Sequence, residues 1–140
     1  MMEFKAFFCD PVEADIIELG DMAQDTIMDT FEKIDWNDYL QKSSNAKLDE
    51  IYFHPTFGIE NKKSGNGLTI SVIGEPDNYK FKVTYKSPQK VKSFLGLNDQ
   101  ISDNYSTVIQ ATTKNDAIDC LSALLRNDIA YLESRVDNNA

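Results

Sequence analysis

An α+β fold is predicted by three features of the sequence: an apolar helical period near the N-terminus, short β-rich segments with turn residues between them, and a second helical period before the C-terminus. A helix, an antiparallel meander of about four to five strands and a closing helix imply two layers, with both helices on one face of the sheet and the other face wet. The 140 residues are 41% apolar and 11% aromatic, which is enough for one domain over 1–140 to bury a core without disulfides or a structural metal.

The elements follow in chain order. Residues 2–8 suggest an edge strand. Asp10-Pro11-Val12-Glu13 reads as a helix start, with Asp10 as cap and Pro11 at the first helical position. Val12, Ile16, Leu19, Ala23, Ile27, Thr30, Phe31 and Ile34 then recur at steps of three and four, predicting a helix over 11–34. The stretch 35–47 loses that period and is expected to be a connection holding at most a short helical turn. A strand is predicted over 48–54, stopped by Pro55. Strands over 68–73 and 79–86 are joined by Gly74-Glu75-Pro76-Asp77-Asn78, a hairpin signal, and 105–112 is a further β-branched strand. Thr113-Lys114-Asn115-Asp116 resembles a helix cap, after which Ala117, Ile118, Leu121, Leu124, Leu125, Ile129, Leu132 and Val136 continue at helical spacing. Asp128 lies on this stripe, so a break at Arg126-Asn127-Asp128 is conceivable, but one long helix is the simpler expectation.

The charge is polarised. Residues 1–50 carry 13 acidic and 4 basic side chains, the whole net charge of −9, while 51–140 carry 10 of each. No basic leader precedes an apolar stretch, no window approaches the roughly 20 apolar residues of a membrane span, and Cys9 and Cys120 are isolated structural thiols. The expected compartment is the cytoplasm, with no membrane partner.

The strongest candidate surface is on the predicted first helix. At about 100° per residue, Glu18, Asp21, Asp25, Asp29 and Glu32 fall in one arc opposite the apolar stripe, with Lys33 the only cation in the helix. Such a one-signed ridge is either a plain solvated face or a dock for a basic partner, where it raises association rate and rejects wrong partners. Trp36 and Tyr39, if exposed beside it, supply aromatic anchors.

Other motifs are weaker. Over 79–86, Lys80, Lys82, Thr84 and Lys86 alternate with Tyr79, Phe81, Val83 and Tyr85, placing lysines and aromatics on opposite faces. That geometry, with the acidic balance, argues against nucleic acid. His54 is the only histidine, and no flanking signature pairs it with Cys9 or Cys120. One His and two Cys make no zinc set, and Leu40 stands where a calcium loop beginning at Asp35 needs Gly. Ser64-Gly65-Asn66-Gly67 lacks a phosphate-loop frame and reads as a turn before a strand.

The expected function is therefore a non-enzymatic protein-binding domain without cofactor or metal. Its specific form is an immunity-type inhibitor that neutralises a basic protein, such as a toxin, through Glu18, Asp21, Asp25, Asp29 and Glu32, helped by Trp36 and Tyr39. A different reading is a ligand-binding or catalytic domain with a pocket between sheet and helices near His54, Tyr52 and Tyr85. A third makes the sheet a self-association surface.

Overall fold

The computed structural model describes residues 4–86, 106–109 and 113–135. Among the described residues six antiparallel strands form one sheet: β1 (Phe4–Cys9), β2 (Ile17–Met22), β3 (Thr56–Asn61), β4 (Gly67–Glu75), β5 (Asn78–Lys86) and β6 (Ser106–Ile109), in the spatial order β2-β1-β3-β4-β5-β6. The helices are α1 (Gln24–Glu32), α2 (Trp36–Asn45), α3 (Lys114–Leu125) and α4 (Ile129–Ser134). The α+β class is as expected, while the placement of several elements is not. None of the helices among the described residues is long and apolar enough to cross a membrane.

Strand alternation builds the core. Phe8, Phe57, Ile70, Val83 and Ile109 lie in register across five strands, as do Ala6, Ile59, Leu68 and Tyr85 across four. All are buried on the face that receives Ile27 and Phe31 of α1, Trp36 and Leu40 of α2, Leu121 and Leu124 of α3, and Leu132 of α4. Full burial of each large apolar side chain contributes roughly 1.5–3 kcal/mol, against about 0–1 for an exposed ion pair, so this packing decides the fold. The opposite parity faces outward: Lys5 lies 3.7 Å and Lys86 2.7 Å from Glu60, a ladder of alternating charge. On that outer face the Phe7 ring lies over Gly58, where an added Cβ would come within 2.1 Å of it.

Five expectations are corrected. The helix predicted over 11–34 is a turn, a strand and then a helix. Asp10 starts a turn: its Oδ1 accepts from the Val12 N–H at 3.0 Å and its carbonyl from the Glu13 N–H at 3.2 Å. The chain then pairs back on β1 as β2, with Leu19 left unopposed in a bulge and Gly20 at φ +83°. The strand over 2–8 is present as Phe4–Cys9, but it is interior; β2 takes the edge.

The connection over 35–47 is α2, ten residues long, capped by Asp35 Oδ1 accepting from the Asp38 N–H at 3.2 Å. The strand predicted over 48–54 is a 3₁₀ turn (Leu48–Glu50) and an irregular segment, and the strand comes after Pro55. Leu48 is 89% exposed, so nothing buries it as a strand residue. Pro55 instead leads into β3, where its missing N–H costs no ladder bond and its carbonyl accepts from the Val72 N–H at 3.2 Å.

The closing helix is two helices. Asn127 adopts φ 60° and Asp128 caps α4, accepting from the Tyr131 N–H at 3.2 Å. The turns around β4 are as expected: Gly67 opens the strand after Ser64-Gly65-Asn66, and Pro76-Asp77 closes the β4–β5 hairpin with Asp77 at φ 65°. The Asp77 N–H donates to Asn37 Oδ1 at 2.6 Å, fastening α2 to the hairpin tip. Of the strand predicted over 105–112, Ser106–Ile109 is described as β6; Val136 of the predicted closing helix lies outside the described residues.

Candidate functional site

From Asp10 to Glu32 the chain carries eight acids and no Lys or Arg. Asp10 is buried against Lys42, 3.8 Å away, and the other seven, Glu13, Asp15, Glu18, Asp21, Asp25, Asp29 and Glu32, are exposed. They do not share one helix. Glu13 and Asp15 lie in the turn after β1. Glu18 and Asp21 pair with Phe7 and Lys5, which puts them on the outer face of the sheet at its edge. Asp25, Asp29 and Glu32 lie on α1, whose buried side, Ile27 and Phe31, is docked on the inner face. The acids therefore wrap the corner where the β2 edge turns into α1, and a straight ridge is replaced by a bent one.

Internal cations reach part of this corner. Lys62 Nζ is 2.7 Å from Asp21 Oδ2 and Lys33 Nζ is 3.0 Å from Asp29 Oδ2. Both pairs are largely solvent-exposed, so each is worth about 1 kcal/mol at most. Among the described residues no cation lies within ion-pair distance of Glu13, Asp15, Glu18, Asp25 or Glu32. Asp25 Oδ1 accepts from the Thr26 N–H at 3.0 Å, an ordinary first-turn contact.

The two aromatic residues expected beside the acids are otherwise engaged. Trp36 is 2% exposed, with ring centroids 6.2 Å from Phe8, 5.9 Å from Phe31 and 5.7 Å from Phe81. It is a core residue, not a surface anchor, because α2 is amphipathic and turns Trp36 and Leu40 inward together. Tyr39 is half-buried, with its ring centroid 4.7 Å from that of Phe8 at a tilt of 46° and Lys42 Nζ 4.9 Å from its own ring centre. The apolar side chains that do stand at this corner are Ile16 and Ile17, 48% and 40% exposed. Sequence periodicity missed them by assigning Ile16 to the buried stripe of a helix.

The pocket residues do not converge. Tyr52 and His54 are exposed in the segment before β3, whereas Tyr85 is buried in β5, two strands away and in register with Ile59. Cys9 sits opposite Thr56 across β1 and β3, and burial pushes its thiol pKa up, against forming a thiolate. Cys120 is fully buried in α3 and its pKa is pushed up to about 11, chiefly by burial. Among the described residues no group of three His, Cys, Asp or Glu side chains could hold a metal ion.

Compared with known proteins, the chain matches no family model, no curated protein and no solved structure. The site must therefore speak through its own chemistry. That chemistry is a bent, one-signed carboxylate surface around an apolar pair at a sheet edge.

Proposed function

We propose that the chain is a non-enzymatic protein-binding domain, an immunity-type inhibitor that neutralises a basic partner through the corner formed by β2 and α1. The observation that carries this reading is the run of seven exposed carboxylates without an interspersed cation, five of them lacking an internal ion pair among the described residues. Seven like charges over so short a stretch repel one another and so cost stability, which a purely solubilising surface avoids by mixing signs. Against a cationic protein the same charges steer association and form charge-assisted hydrogen bonds to Lys and Arg. Glu18, Asp21, Asp25, Asp29 and Glu32 remain the contact residues in this proposal, with Ile16 and Ile17 in place of Trp36 as the apolar component.

Capture from the native cell lysate tests it, using the wild-type chain and a triple variant, Glu18→Lys, Asp25→Lys and Glu32→Lys. A basic protein should be retained at low ionic strength, released as salt screens charges beyond about 10 Å at 0.1 M, and lost with the variant. Retention of the same protein by the variant, or indifference to salt, removes the electrostatic basis of the reading.

A further inference from the structure

We propose that the free edge of β2 binds its partner by strand addition, taking up an extended segment in which Lys or Arg alternates with apolar residues. This rests on the protein-binding reading above and specifies the shape of the ligand. Among the described residues β2 pairs only with β1, so the backbone N–H and C=O groups along its other side point away from the sheet without a strand partner. The two faces of that edge differ in chemistry. Glu18 and Asp21 project on the outer face, while Ile17 and Met22, in register with Phe8 and Phe4, project on the inner one. A strand laid alongside β2 therefore meets carboxylates at one parity and apolar side chains, including the 40% exposed Ile17, at the other.

Charge selects the occupant. If a second copy of the chain paired antiparallel with β2 in the fully overlapping register, Glu18 of one copy would stand opposite Asp21 of the other, and like charges directly opposite are destabilising. The bulge at Leu19 also twists the edge, which discourages long, flat self-pairing. A basic strand meets no such repulsion, and Glu13 and Asp15, in the turn leading into β2, extend the field that attracts it.

The test is a solution NMR titration of the full chain with a short synthetic peptide alternating Lys with Val, and with the same peptide carrying N-methyl groups on alternate amides, which keeps the charge but removes one hydrogen-bonding edge. The unmodified peptide should shift the amides of residues 17–22 and protect them from hydrogen exchange, and should bind at least about tenfold more tightly than the methylated one, since several ladder bonds are lost together. Glu18→Lys should weaken it about fivefold. Equal binding of the two peptides, or shifts confined to α1, overturns strand addition while leaving the electrostatic reading intact. Absence of binding by either peptide also overturns it, and the lysate capture then judges the broader reading separately.

Discussion

Trp36, an aromatic anchor only if exposed, lies in the core. Its indole Nε1 has no hydrogen-bond partner among the described residues, so the site gains packing from the ring and loses on the donor. Trp36→Ala should therefore cost about 3–5 kcal/mol, while Trp36→Phe, which keeps an aromatic body and deletes the orphaned donor, should cost less than about 2 kcal/mol in urea denaturation. A different residue sets a pH dependence. The Cys120 thiol ionises near 9.0 when unfolded and near 11 in the fold. Above pH 9 the unfolded chain thus releases a proton that the folded chain retains, and stability falls as pH rises. The stability advantage of the wild type over Cys120→Ala should shrink by on the order of 2 kcal/mol between pH 9 and pH 11. A gap constant over that window removes the burial argument for this thiol.

At the scale of elements, the decisive substitution is Gly20→Ala. In a helix over 11–34 it would stabilise by roughly 1 kcal/mol; with Gly20 at φ +83° beside a bulge it should destabilise by at least about that much, so the sign of the change in melting temperature separates the two structures. This residue also marks the limit of what the sequence makes legible. The strands over 68–73 and 79–86 and the apolar face of α3 are evident because strict alternation, turn residues and a cap all agree there. Between Asp10 and Phe31 the signals conflict: Ile27 and Phe31 are truly helical, and their period extends by coincidence through Val12, Ile16 and Leu19. Asp10-Pro11 suits a turn as well as the helix start read from it, and the pairing of β2 with β1 is a tertiary contact that no local period encodes. The acids of the candidate site were identifiable from their density alone. Their division between a sheet edge and a helix was not, since it depends on where that break falls. Pro55 shows the same difficulty, as proline can end one strand or precede the next, and here it precedes β3.

For the whole molecule, a net charge of −9 gathered largely on one corner sets two opposing salt responses. Screening relieves repulsion among Glu13, Asp15, Glu18, Asp25 and Glu32, so the thermal midpoint should rise between 10 mM and 150 mM salt, as the Debye length falls from about 30 Å to about 8 Å. Binding to a cationic partner should weaken over the same range. A calorimetric scan showing no rise would mean that the acids are too far apart, or too well solvated, to repel one another appreciably.

The burial of Trp36 has an optical consequence. It is the only tryptophan in the chain, and its ring is surrounded by Phe8 of β1, Phe31 of α1 and Phe81 of β5. Its fluorescence must therefore be blue-shifted in the native state and move to longer wavelength only when strand, helix and hairpin separate. The protein carries its own spectroscopic probe of assembly, and because Phe8 pairs with Ile17 and Phe31 precedes Glu32, that probe also borders the acidic corner.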